Sequence, residues 1–284
     1  MEGEFLNKYF SVRYIHLLCR MVFATILVHL IFSGLANTLV HQLQAPVLKF
    51  PYVDPTFWIM HLLHIPEFIS SHFYIAWLFD ILLFTLCILT IIFPQKKWLI
   101  GSFIILYFNY FIIFNSFGAH HTHALIPVLI APVPFLFSRK TFFYLWEALR
   151  YFLLFSYAAA FIWKLFRFSW LNKNQGILIL KKNLTPYLYF NPHTSLANIY
   201  QWFLNNPATT NCVFLCGFIL EGLFIVGFFT KKYDKYLFFI SIILPVGFWF
   251  LADALFFEEL ILSITLLNLN AGYKYLKNDQ AVFI

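Results

Sequence analysis

Apolar runs of about fifteen to twenty residues recur along the whole chain, broken by short polar segments: residues 14–32, 73–93, 98–114, 124–137, 142–163, 212–229, 236–251 and 254–269. A helix crosses about 30 Å of hydrocarbon with roughly 20 such residues. A soluble globule needs enough polar surface to cover its core. Here 62 % of residues are apolar, 39 of them Phe, and only 11 % are charged, against roughly 25 % in soluble domains. Disorder is excluded as well, because disordered chains are polar and poor in aromatics. The pattern predicts an all-α, polytopic membrane bundle of about eight transmembrane helices, a single transmembrane domain over 1–284. The fourth run carries Pro127, Pro132 and Pro134 and the seventh Pro245, so kinks or unwound turns are expected there.

The net charge of +7 is spread singly and in pairs between the runs, which argues for membrane orientation and against nucleic-acid binding. With eight spans, Lys8, Arg13, Lys96, Lys97, Arg139, Lys140, Lys231, Lys232, Lys235, Lys274 and Lys277 fall on one side. Positive charge in short loops marks the cytoplasmic face, so both termini are expected there. The two long segments, 34–72 and 164–211, then lie outside. Both are aromatic and proline-containing and are expected to fold as short or interfacial helices. The second carries Lys164, Arg167, Lys173, Lys181 and Lys182, an excess that runs against the pattern. No cleavable leader is evident after the mixed-charge start. Cys19, Cys87, Cys212 and Cys216 are too dispersed for a disulfide scaffold and read as small buried residues.

Ionisable groups inside spans are costly and need a reason. They are Arg20, Asp80, Glu147, Arg150, Lys164, Glu221, Asp253, Glu258 and Glu259. Lys164 ends a helix of small and aromatic residues. One reading has it snorkelling to the interface. The other has it desolvated among Phe and Trp, where the ammonium is disfavoured and the amine becomes a base. Ala158, Ala159 and Ala160 would let a neighbouring helix approach. Glu221 and Asp80 are expected to be protonated or paired, Glu221 with Arg20 or another buried cation. Glu147 and Arg150 have the spacing of a local ion pair. His120, His121 and His123, and the pair His61 and His64, lack helical metal-ligand spacing with a carboxylate. No metal site is expected, and one of these histidines is a candidate proton donor or acceptor.

The order of these motifs resembles the HTTM family, whose best-known members are the vitamin K-dependent γ-glutamyl carboxylases, from about Leu17 to Leu267. Leu18-Cys-Arg20-Met-Val resembles the family's first span. His121-Thr122-His123-Ala-Leu resembles a carboxylase Asn-His-Ser-Tyr-Leu stretch. Tyr157-Ala-Ala-Ala-Phe-Ile-Trp-Lys164-Leu, followed after four residues by Trp170, resembles the carboxylase lysine motif, with one residue more before the Trp. Glu221 is similar to an acidic position in the sixth span. The resemblance implies Lys164 as a base, with His123 assisting, acting at the extracytoplasmic end on a reduced naphthoquinone. In the carboxylases oxygen then converts the quinol anion to a strong base. The seventh span carries no histidine where the carboxylases have one, and Ala160 or Phe161 stands where they have Gly. The propeptide-binding domain of the animal enzymes would follow the last span, and this chain ends at Ile284. DoxX-like quinone-associated proteins carry a similar lysine, so the motif does not fix a reaction.

Two functions follow as expectations. The first is an enzyme acting on a quinol or other lipophilic molecule, with Lys164 and His123 catalytic. Tyr157, Trp163, Phe166 and Trp170 would line its cavity, and His121, Glu221 and Arg20 would support binding. The second is a non-catalytic membrane subunit whose outer segments dock a partner protein or membrane lipid. A transporter ranks below both, since no internal repeat is visible.

Overall fold

The computed structural model describes residues 12–43, 58–115, 122–252, 256 and 259–267. Among these, the ordered elements are helical: α1 (Val12–Leu35), α2 (Trp58–Leu62), α3 (Ile65–Ser71), α4 (Phe73–Ile92), α5 (Lys97–Asn115), α6 (Thr122–Ile130), α7 (Arg139–Phe166), α8 (Gln175–Phe190), α9 (Ser195–Asn205), α10 (Pro207–Phe229), α11 (Asp234–Ala252) and α12 (Glu259–Ser263). Short 3₁₀ turns occur at Val40–Gln42, Val133–Leu136, Ser169–Leu171 and Ile264–Leu266.

Six helical segments are long and apolar enough to cross a membrane: those beginning at Val12, Phe73, Lys97, Arg139, Pro207 and Asp234. Only 22–44 % of their most apolar windows is buried inside the protein. The remaining apolar surface suits hydrocarbon and not water. Two of the eight expected spans differ. The fourth run is a short apolar element, Leu125–Leu136, in which Pro127 sits inside α6 and Pro134 in the following 3₁₀ turn. Of the eighth run the described part is α12 and a 3₁₀ turn. Asp253 and Glu258 lie outside the described residues.

The chain divides into two compact units, 1–147 with 269–284, and 148–268. In the first, α4 packs on α1 and α5, and α5 carries α6 and the 3₁₀ turn after it. Phe23 and Phe103 meet edge to face at 5.1 Å, and His29 Nε2 lies 3.1 Å from the Tyr107 hydroxyl. Asp80 is paired, as one reading of the sequence had it. Its carboxylate accepts from the backbone N–H groups of Val40 and His41 at 3.2 and 2.9 Å and lies 2.7 Å from His41 Nδ1. It thereby holds the turn that follows α1. Lys97 Nζ donates to the carbonyl of Phe137 at 3.1 Å. The short apolar element therefore brings the chain back to the end of α5 at which that helix began. Lys96, Lys97, Arg139 and Lys140 gather there. The segment after α1 forms short helices, α2 and α3, as expected. His64 pairs with Glu67 at 3.0 Å in the open, and the side chain of His61 lies outside the described residues.

In the second unit, α8 packs on α9, α10 and α11. Arg150 belongs here with Asp234. Its Nε and Nη2 donate to the two Asp234 oxygens at 2.8 and 2.6 Å, and Nη2 also reaches the carbonyl of Gly227 at 2.9 Å. This tie fastens the start of α11 and the end of α10 to α7. The two pairs of cysteines part company. All four are free thiols, Cys19 and Cys87 buried, Cys212 and Cys216 exposed on α10. The expectation that all four are buried fails for the latter two, and Cys216 is exposed where α10 borders an open cavity.

Candidate functional site

The site is assembled from α7 and α10, which run antiparallel with rings interleaved. Tyr157 stacks on Phe224 at 4.2 Å and Phe161 on Phe218 at 4.5 Å. Small residues permit this approach. A Cβ on Gly222 would come within 2.9 Å of the Phe161 ring, and one on Gly227 within 2.5 Å of Leu154. The sequence placed the close approach at the alanines of α7. The glycines of α10 supply it, while Ala160 faces a cavity.

That cavity has a volume of about 490 Å³, is open on one side, and is lined by α7, α8, α9, α10, α11 and the start of α12. It is within the size range of small-molecule sites. Its wall is mostly aromatic and aliphatic, and its few ionisable groups are Lys164, Glu221, Glu259 and the Cys216 thiol, with the Tyr157 hydroxyl beside them. Tyr157, Ala160 and Lys164 succeed one another at helical spacing and so line one face of α7.

Lys164 does not snorkel. Side chains on a helix lean toward its N-terminus, and from the last turn of α7 that direction leads back into the bundle. The ammonium is held by both oxygens of Glu221, Oε2 at 2.6 Å, and lies over the Phe248 ring at 5.5 Å. The Glu221 side chain is 2 % exposed and that of Lys164 30 %. The carboxylate is thus sealed in and the amine faces the opening. The cation expected for Glu221 is Lys164, 57 residues away, and not Arg20, which is exposed on α1 in the first unit.

Glu259 enters from α12 to face the same space. Its carboxyl group and the buried Tyr157 hydroxyl interact without meeting the geometry of a direct hydrogen bond. Sequence reasoning flagged Glu259 only as an ionisable group within an apolar run. Its approach to Tyr157, about a hundred positions earlier, leaves no local signal.

Other expected lining residues lie elsewhere. Trp163 and Phe166 border a second, shallow depression with Ala158 and Ala159. Trp163 carries the Arg167 guanidinium on its ring at 4.3 Å, and Trp170 is exposed. They were expected around Lys164 because they neighbour it in sequence, but on a helix adjacent positions point apart. His121 and the side chain of His123 lie outside the described residues. Among the described residues no group of three or more His, Cys, Asp or Glu could hold a metal ion. Comparisons with protein-family models, with curated proteins and with solved structures gave no match.

Proposed function

We propose that the chain is an integral membrane protein, similar to the HTTM and γ-carboxylase-like proteins, that admits a lipophilic small molecule into the second unit and acts on its head group with Lys164. The observation that carries this reading is the Lys164–Glu221 pair set in the wall of an apolar cavity. An ion pair buried only to hold helices together is often no better than apolar packing. One that borders empty space is available to a ligand. Base chemistry at Lys164 runs through its partner: a proton passed from the ammonium to Glu221 leaves a neutral amine and a neutral acid, and the amine then accepts a proton from a ligand hydroxyl. A reduced naphthoquinone is the cofactor the resemblance suggests. In the same reading the proline-broken element and the last apolar run complete eight crossings, both termini are cytoplasmic, and α8 and α9 lie at the outer interface.

The test is turnover in nanodiscs. Purified protein with a reduced naphthoquinone in air consumes the quinol faster than empty discs, and Lys164→Met removes the difference. Equal rates for wild type and variant would end the base role.

A second reading, a non-catalytic subunit docking a partner protein or anionic lipid, is favoured by the exposed Tyr189, Phe190, Ile199 and Trp202 of α8 and α9, close in sequence to Lys181 and Lys182. A protein co-purifying in fixed proportion, with no lipophile retained, would support it.

A further inference from the structure

Between Glu147 and Glu221 the chain has no Asp or Glu, but it has Arg150, Lys164, Arg167, Lys173, Lys181 and Lys182. Two of these cations draw carboxylates from later helices: Arg150 from Asp234 and Lys164 from Glu221. The Arg167 guanidinium has neither a carboxylate nor a hydrogen-bond acceptor among the described residues. Arg167 is exposed in the turn after α7, with its guanidinium over the Trp163 ring at 4.3 Å. The ring steadies the cation and leaves its N–H donors for an anion.

Trp163 also borders the shallow depression on the other side of α7 from the cavity. Phe155, Ala158, Ala159, Ile162 and Phe166 follow one another there at helical spacing, whereas Tyr157, Ala160 and Lys164 line the opposite face. The two alanines are its low point, the larger side chains stand around them, and Ile225, Phe228 and Phe229 of α10 close one edge. From Phe155 to Phe166 the groove runs about 17 Å. That is half of the roughly 30 Å hydrocarbon slab, the depth of one leaflet. It ends at Phe166, beside Arg167. An apolar groove one leaflet deep with an unpaired cation at its end matches an acyl chain beneath a phosphate.

We propose that this groove and Arg167 form a binding site for an anionic phospholipid, one acyl chain lying along Ala158 and Ala159 and the phosphate on the guanidinium. The guanidinium fork meets two phosphate oxygens at once. A neighbouring helix would fill the groove and leave Arg167 without its anion, and a free phosphate would leave the groove empty. The phospholipid answers both. The site lies across α7 from Lys164 and asks nothing of the cavity, so it stands whether or not chemistry takes place there. It also gives a use to one of the positive charges that run against the orientation pattern.

Native mass spectrometry tests it, on protein released from nanodiscs of equal phosphatidylglycerol and phosphatidylcholine with matched acyl chains. The wild-type protein should retain phosphatidylglycerol about fivefold over phosphatidylcholine, the size expected of one basic residue at an anionic headgroup. In Arg167→Gln the ratio should fall towards one, and in the double variant Lys181→Gln with Lys182→Gln it should persist. Ala159→Leu, which fills the low point of the groove, should cut the amount of lipid retained. Equal retention of the two lipids by the wild-type protein would overturn the site. So would a preference that survives Arg167→Gln or vanishes with the two lysines, or unchanged retention in Ala159→Leu. A lipid-free dimer would overturn it too, by giving the groove to a second copy. The wild-type ratio decides the matter even if a variant fails to fold.

Discussion

Removing the amine of Lys164 leaves Glu221, 2 % exposed, without its cation. Truncating one partner of a buried pair destabilises by about 3 kcal/mol, so Lys164→Met should lower the unfolding mid-point in mixed SDS micelles. The double variant with Glu221→Gln should regain much of that loss, because neither charge remains. If the double variant is worse than the single, the pair is not what stabilises this wall. Arg150→Leu should be at least as damaging, since the guanidinium is 2 % exposed and holds both oxygens of Asp234. At this scale the sequence showed which residues needed partners and not which partners they have. A carboxylate in an apolar run announces a cost. What meets that cost lies on another helix, as with Glu221 and Lys164 or Arg150 and Asp234. Asp80 is the instructive case, because its partners are chiefly backbone N–H groups of a turn, which carry no side-chain signature at all.

Helix boundaries followed the apolar runs closely, because length and hydropathy are local properties. Packing did not, because it is settled by single small residues. Gly176 sits where a Cβ would come within 2.7 Å of the Thr210 carbonyl oxygen. Backbone cannot rotate away, so Gly176→Ala should destabilise by about 1–3 kcal/mol and loosen α8 from α10. At Gly217 on the same α10 nothing stands within 4 Å. Gly217→Ala should therefore be neutral or gain up to about 1 kcal/mol of helix propensity, and the contrast between the two in thermal unfolding checks the contact. The end of α7 offers the opposite case. Phe168 adopts φ 53°, a left-handed conformation that disfavours residues with a Cβ by roughly 1–2 kcal/mol. Phe168→Gly should raise the unfolding temperature by removing that strain, with the turn and the Ser169 hydrogen bond to the Lys164 carbonyl retained. An unchanged or lower temperature would mean that the Phe168 ring supplies more than its backbone gives up.

For the molecule as a whole, the proposed topology puts Lys96 and Tyr189 on opposite faces of the bilayer. In a background lacking the four native cysteines, Tyr189→Cys should react with a membrane-impermeant maleimide in intact cells and Lys96→Cys only after permeabilisation. The reverse pattern would invert the topology. The fold class was legible from composition because hydrocarbon imposes one requirement on every residue that meets it. The two-unit division was not, since it depends on which helices pack together. The element between α5 and α7 carries a further consequence. Its nine α-helical and four 3₁₀ residues extend over roughly 20 Å, well short of the ~30 Å hydrocarbon slab. Every residue from 125 to 136 is buried or half-buried, so on the proposed topology neighbouring helices and not acyl chains cover this short crossing, and the stability of the first unit should depend little on the acyl-chain length of the bilayer.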